Sequence, residues 1–438
     1  SPVFVDGLTV DKFYFGKDTV GNVNIKVNNE RENTYNAHVS ITENGNNLVL
    51  SGDFINPPQG DAAMDFTLDI APLTMKTVQA FSMGNLKDPK GNLEGQLKIN
   101  GTPSKPQIRG DLNFRDAEFN VAMLNALFKA KDEQIRFDKN GISFPKFELE
   151  DSKGNFAQVS GSIKTQTYTA FDFDLDIAMD NFEVLNSTQA DNDLFYGKMF
   201  LGTDLHVGGN LDKPVVDGTI KVLDSTDFTM VMPNNDPGMA DREGVVEFVD
   251  KRDTATANAL ARLDSMTVTK LTGIDVDLNL QTDKDAKFKI LLDAGSQDAL
   301  NIQGEAELNA GVDASGKITM SGTFTVERGS YSFSFGPVSR DFKFQKGSTI
   351  TWNGDPLDAQ LNITAAYTLK APTLELVAPQ LGTQNANLYK QKIPFDVLLK
   401  ISDKLFQPQL NFDIDLNANN AVVSQDVISK VDNALSTL

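Results

Sequence analysis

Phe171-Asp172-Phe173-Asp174-Leu175-Asp176-Ile177 puts its apolar residues at every odd position and an aspartate at every even one. Successive side chains of a β-strand point to opposite faces, so this stretch is a strand with one greasy side and one charged side. The alternation recurs at Phe66-Thr67-Leu68-Asp69-Ile70, Ile274-Asp275-Val276-Asp277-Leu278-Asn279-Leu280 and Ile318-Thr319-Met320. It continues at Tyr331-Ser332-Phe333-Ser334-Phe335, Leu361-Asn362-Ile363-Thr364-Ala365 and Leu410-Asn411-Phe412-Asp413-Ile414-Asp415-Leu416. Turn signals separate the runs, among them Asn44-Gly45, Asn140-Gly141, Ser315-Gly316 and Asn353-Gly354-Asp355-Pro356. Helical spacing is confined to three places: Val121, Leu124, Leu127 and Phe128; the short stretch Leu73 to Phe81; and the tail 424–438. In that tail Val427, Ile428, Val431 and Leu435 share a face, and Ser424 suits an N-cap. The expected class is all-β with a few short helices.

A hairpin recurs in register. Leu97-Lys98-Ile99-Asn100-Gly101, then Lys105-Pro106-Gln107-Ile108-Arg109-Gly110-Asp111-Leu112-Asn113-Phe114, matches Leu205-His206-Val207-Gly208-Gly209, then Lys213-Pro214-Val215-Val216-Asp217-Gly218-Thr219-Ile220-Lys221-Val222. Leu399-Lys400-Ile401 with Pro408-Gln409-Leu410-Asn411-Phe412 keeps the same internal spacing, and Gly322-Thr323-Phe324-Thr325-Val326 preserves the second strand alone. Proline ends ladder pairing and glycine lets the chain reverse, so the unit is strand, turn, strand. Several such pairs suggest stacked similar units, each burying its apolar face against the next.

Composition removes several classes. A net charge of −20 repels phosphate backbones, so no nucleic-acid partner is expected. The absence of cysteine excludes thiolate metal sites, thiol nucleophiles and disulfides. No apolar run reaches the roughly 18 residues that a spanning helix needs. Ser1-Pro2-Val3-Phe4-Val5-Asp6 lacks the basic region and apolar core of a signal peptide, so a targeting segment is expected outside this sequence.

The strand–G-x(2–3)-K-P-x-[IV]-x-G–strand repeat resembles the AsmA-like superfamily. The stretch Gly322-Thr323-Phe324-Thr325-Val326-Glu327-Arg328-Gly329-Ser330-Tyr331-Ser332-Phe333, with Phe342-Lys343-Phe344, Gly347-Ser348-Thr349-Ile350-Thr351-Trp352-Asn353-Gly354-Asp355-Pro356 and Leu361 to Tyr367, is similar to the C-terminal conserved domain of the TamB family. The resemblance implies an elongated sheet curled lengthwise into a taco-shaped apolar groove of solenoid-like repeats. It implies a repeat region over 1–320 (units near 1–115, 116–225 and 226–320) and a TamB-like domain over 321–438. That domain is expected to be incomplete, because members continue past the position of Leu438 into a last strand segment. The resemblance further implies a periplasmic place, an upstream inner-membrane anchor, an outer-membrane TamA-like barrel partner, and work in phospholipid transport and outer-membrane protein assembly.

A groove answers a definite physical need. Exposing the ~30 methylenes of a phospholipid to water costs roughly 24 kcal/mol. A continuous apolar trough removes most of that cost and needs no catalyst, cofactor or metal, so no enzymatic role is expected. The candidate lining is the inward set Leu97, Ile99, Ile108, Leu112, Phe114, Phe173, Leu175, Ile177, Leu205, Val207, Ile220 and Val222. It extends to Phe324, Val326, Tyr331, Phe333, Phe335, Phe395, Val397, Leu399, Phe412 and Ile414. Ordinary sandwich or barrel core is the competing reading of the same residues. Two other functions compete: a chaperone or scaffold that offers strand edges to outer-membrane proteins, and a carbohydrate-active solenoid. Asp172, Asp174 and Asp176 have calcium-loop spacing, with Glu183 at the twelfth position, but Ile177 stands where such a loop needs glycine. His38 and His206 are the only histidines and lie at outward positions, and Trp352 is read as core rather than a sugar platform.

Overall fold

A computed structural model of the chain describes residues 5–16, 18–82, 84–231, 273–291, 299–335, 338–381, 386–404, 407–417 and 425–435. Among them are 24 strands and three short α-helices, so the chain is all-β. It separates into two compact units. The first comprises Ser1–Thr226, Lys270–Leu280 and Gly311–Lys317; the second comprises Asp227–Thr269, Gln281–Ala310 and Ile318–Leu438.

Unit 1 begins with β1 (Val5–Phe15), β2 (Asp18–Arg31), β3 (Thr34–Glu43), β4 (Asn46–Ile55) and β5 (Ala63–Thr74). After α1 (Met75–Phe81) come the long hairpin β6 (Leu86–Thr102) and β7 (Lys105–Val121), then β8 (Ala126–Ala130) and β9 (Gln134–Asp138). β10 (Gly141–Glu150), β11 (Phe156–Lys164), β12 (Asp172–Ser187), β13 (Phe195–Gly209) and β14 (Pro214–Val222) follow. β1 through β7 form an antiparallel meander. Along its length β7 then pairs with both β8 and β9, each of which reaches β10, and the meander resumes through β14.

Unit 2 holds β15 (Asp227–Val231), paired in parallel with β17 (Lys287–Leu291), which pairs with β18 (Ala299–Val312). β16 (Asp275–Thr282) precedes these two in the chain and starts in unit 1. β19 (Ile318–Phe335) pairs along its length with β20 (Val338–Phe344) and β21 (Thr349–Gly354). β22 (Gln360–Pro372) joins both and continues to β23 (Lys392–Lys404) and β24 (Gln407–Leu416). α2 (Leu374–Leu381) and α3 (Gln425–Leu435) pack on one end of this sheet.

The hairpin repeat in the sequence is a repeat of register. Leu97 faces Gly110 and Gly101 faces Pro106; Leu205 faces Gly218 and Gly209 faces Pro214; Leu399 faces Phe412 and Asp403 faces Pro408. Gly110 fills a place where a side chain cannot go: at φ +140, an added Cβ would lie 2.0 Å from the carbonyl oxygen of Gln96.

A line of bulges crosses unit 1. Register breaks between Ile70 and Leu73 on β5, between Lys87 and Asn92 on β6, between Phe144 and Phe147 on β10 and between Met179 and Phe182 on β12. Asp116 on β7 adopts φ 46 at the same level. A bulge adds one residue to one strand, bends it and sharpens its twist, so aligned bulges crease the sheet. Beyond the crease the rings of Phe128 on β8 and Phe182 on β12 stack at 5.5 Å. Three strand spacings would put those backbones about 14 Å apart in a flat sheet, so the sheet folds toward its apolar side. Unit 2 curls likewise: Phe342 on β20 meets Phe412 on β24 at 6.5 Å across β22 and β23.

The expected helix through Val121, Leu124, Leu127 and Phe128 is instead the end of β7, a turn and the start of β8. Asn125 N–H donates to Val121 O at 2.8 Å, a single α-turn, and Phe119 and Phe128 then meet across the hairpin. One turn supplies the helical spacing without a helix. The short helix near Leu73 to Phe81 is α1, capped by Thr74, whose hydroxyl accepts from Thr77 N–H. The tail helix is α3; its proposed cap, Ser424, lies outside the described residues.

Candidate functional site

Cross-strand partners share a face, so register shows whether the apolar sides join. Leu8, Ile25, Val39, Leu50, Leu68, Leu97, Gly110, Phe137, Ile142, Ile163 and Phe173 stand opposite one another in succession, a row through eleven strands of unit 1. Nine side chains of that row, Ile25 to Phe173, are half-buried or sit at the margin of burial, as Leu97 does. The face is neither packed shut nor bare. A neighbouring row runs Phe144, Gly161, Leu175, Val207 and Val216. On the opposite face polar residues bond across strands: Gln96 Nε2 to Asp69 at 2.6 Å, Asn100 Nδ2 to Asp65 at 2.7 Å, and Lys164 Nζ to Asp174 at 3.0 Å.

Burial changes at the crease. Before it, Phe173, Leu175 and Ile177 on β12 are half-buried; after it, Phe182 is 2% exposed. Met75 of α1, Leu93, Ala117, Ala130 and Phe147 fill the space beyond, and the Phe128–Phe182 stack closes the rest. Directional bonds hold α1 there: buried Asn46 donates to Val20 O and Thr77 Oγ1 and accepts from Thr74 N–H and Oγ1 at 2.6–3.0 Å. Unit 1 therefore has one open apolar limb and one filled limb.

The sequence-derived residues divide along these lines. Ile99, Ile108, Leu112, Phe114, Phe173, Leu175, Ile177, Leu205, Val207, Ile220 and Val222 are half-buried on the unit 1 face, with Leu97 just buried. In unit 2 Phe324, Val326, Phe395 and Leu399 are buried, and Tyr331 and Val397 are half-buried. Phe342, Phe344, Ile350, Leu361 and Ile363 are buried on neighbouring strands, so the apolar side chains of unit 2 are more fully covered than those of the unit 1 row. Phe412 and Ile414 are 63% and 48% exposed, with Leu410 beside them. The side chains of Phe333 and Phe335 lie outside the described residues. Between Val326 and Tyr331 the inward positions change from even to odd, near Gly329, whose added Cβ would meet the Phe344 ring at 2.5 Å.

Asp172, Asp174 and Asp176 form an exposed strand face, as their spacing with Phe173 and Leu175 requires. His38 and His206 are apart on β3 and β13. The His206 ring bonds Asp176 at 2.9 Å, which raises its pKa above the ordinary imidazole value, with Asp217 and Asp174 adding to the field. That pair contributes stability fully below the ordinary imidazole pKa and loses it as pH climbs through the folded-state value. Trp352 is half-buried and donates its indole N–H to Pro356 O at 3.0 Å. Among the described residues no three His, Cys, Asp or Glu side chains gather as a metal site, and no helix is long and apolar enough to cross a membrane.

Sequence reasoning weighed Glu183 only as a calcium-loop position and missed its burial: it is 1% exposed. The β12 bulge turns it under the 151–155 loop, where Ser152 Oγ donates to its carboxylate and its N–H donates to Asp151 at 2.8 Å. Burial pushes the Asp151 carboxyl up, but bonds from the Glu183, Asn155 and Lys153 N–H groups and from the Asn155 amide outweigh it and hold its pKa low.

The family model of the TamB C-terminal domain matches residues 145–429, from within β10 to within α3. No curated protein matches the chain.

Proposed function

Because the match spans well over half its length, the chain belongs to the TamB family, and from that premise we propose that it carries phospholipid tails between membranes along the open apolar limb of unit 1. The observation that supports this is the row of nine half-buried or marginally buried side chains from Ile25 to Phe173, backed by a polar outer face. A packed core spends its apolar surface on itself; half-buried side chains leave area that a hydrocarbon chain can still cover. The headgroup stays in water, and the reading calls for no reaction and no cofactor. The setting it implies is the periplasm, with an upstream inner-membrane anchor and a TamA-like barrel in the outer membrane.

Photo-crosslinking tests it. A benzoylphenylalanine at position 175 or 207, on the apolar side, is expected to capture phospholipid in cells, and one at 174 or 206 is not. Equal capture from both faces overturns the reading.

A second reading, assembly of outer-membrane proteins through strand pairing, draws on the β24 edge. Among the described residues β24 pairs only with β23, in ten successive pairs without a bulge. β1, also paired on one side, is interrupted three times. Bulges blunt an edge, and a long regular edge invites another strand. β24 is therefore the edge on which a barrel strand would dock, and photo-crosslinks from Asn411 or Asp413 to protein rather than lipid would favour it.

A further inference from the structure

We propose that a polar cleft at the lip of unit 1 seats the zwitterionic head of a phospholipid whose tails lie on the apolar row; the proposal rests on the hydrocarbon-carrying reading above. The lip is the edge of the open limb, where the hairpin turns stand side by side. The row approaches it unevenly. Leu97 and Gly110 pair five residues before Thr102 and Lys105, which close the β6–β7 hairpin. Phe137 and Ile142 pair one residue before Asp138 and Gly141, and Ile163 and Phe173 one residue before Lys164 and Asp172, the last pairs of their hairpins. At about 3.3 Å per residue, the row runs roughly 17 Å below the lip at β6 and β7 and surfaces at β9 to β12.

A cleft of about 680 Å³ opens where the row surfaces, between the 139–140 turn and the 165–171 loop. That is the size of a small-molecule site. Ile142, a member of the row, lines it. The loop is tied to the turn by Thr165 N–H, which donates to Asn140 O at 2.9 Å, and is braced by Tyr168 N–H on Thr165 Oγ1 at 2.9 Å. The cleft is therefore shaped before a ligand arrives, which lowers the ordering cost of binding.

Its charges are two ammonium groups, Lys139 and Lys164, and two carboxylates, Asp138 and Asp172. They sum to zero in a chain whose net charge is −20, so the cleft suits a ligand that carries both signs better than a net anion. A phosphodiester fits beside the lysines and the Ser162 hydroxyl, and a primary ammonium beside the carboxylates. The side chains of Lys139 and Asp172 bond to no other described residue and are available to a ligand. Lys164 shares an exposed pair with Asp174 at 3.0 Å, a contact of little strength in water. Ser162, Lys164 and Asp172 stand at outward positions, so the head bends over the lip while the tails stay on the inner side.

The test measures binding to the full chain by isothermal titration calorimetry, with lipids kept below their micelle concentrations. The probes are dihexanoylphosphatidylethanolamine, dihexanoylphosphatidylglycerol and glycerophosphoethanolamine, the last being a head without tails. The ethanolamine lipid is expected to bind roughly tenfold tighter than the glycerol lipid, since only its head carries a cation for Asp138 and Asp172. Lys139→Gln should weaken both lipids about tenfold, and Asp172→Asn should reduce the preference between them to about threefold. Neither change removes a side-chain bond among the described residues, so both variants are expected to fold. Lys105→Gln, on the lip away from the cleft, should leave both affinities unchanged. Equal affinity for the two lipids, or unaltered binding by Lys139→Gln, overturns the head site and leaves the hydrocarbon reading standing. Glycerophosphoethanolamine binding as tightly as the full lipid leaves a site for the soluble head alone and overturns the hydrocarbon reading. No saturable binding of either lipid overturns both.

Discussion

Leu175→Arg is expected to slow phospholipid delivery by roughly a thousandfold while the protein still accumulates. Leu175 faces Gly161 on one side and Val207 on the other, in the open limb of unit 1. It is half-buried, so losing its apolar contacts costs only about 1–2 kcal/mol of stability. The guanidinium can stay hydrated while the limb is empty. A passing acyl chain must strip that water without offering a counter-charge. A penalty near 4 kcal/mol at that point is modest for dehydrating an ion and corresponds to about three decades in rate. The measurement is arrival of radiolabelled phospholipid at the outer membrane in cells whose only copy is the variant, with protein level by immunoblot. Asp174→Arg, one residue away on the polar face, is expected to behave as the unaltered protein does. Normal delivery by Leu175→Arg would shift the role to the β24 edge.

Gly110→Ala is expected to destabilise unit 1 by about 3–5 kcal/mol, from strain at positive φ together with overpacking. The added methyl meets the Gln96 carbonyl oxygen at 2.0 Å and Leu97 Cδ2 at 3.1 Å, in the middle of the longest hairpin. For a unit of this size the melting temperature should fall by roughly 10 °C. Gly95→Ala separates the two causes, since its Cβ would lie 2.1 Å from Asp111 O without positive φ. A calorimetric shift of only a degree or two for Gly110→Ala would show that β6 and β7 can part at little cost.

Much of this was legible because strands write their faces at period two. The Phe171–Ile177 run and the Leu97/Leu205/Leu399 hairpins read directly onto β12 and onto matching registers. Three kinds of error share one cause, that periodicity records a side chain's phase and nothing about what covers it. The turn after Val121 reset the phase and imitated a helix. The bulges at Asp116 and Asn181 shift the phase by one residue, so the burial of Glu183 could not be read from its charge. Phe412 and Leu399 have the same alternation, yet one is exposed and the other buried, because β24 is last in its ladder. Inward parity identified the apolar set; whether that set is open trough or closed core depended on the crease and on helices that pack from elsewhere in the chain.

The crease also makes the fold count residues by twos. A strand that crosses it regains step with its ladder partner because an extra, unpaired residue sits at each register break. Deleting Asn181 would let the ladder run straight and swing Phe182 away from Phe128, whereas removing a residue from the 56–62 connection would leave every ladder in step. Odd-numbered insertions and deletions are therefore confined to turns, and changes of length within a limb must come in pairs.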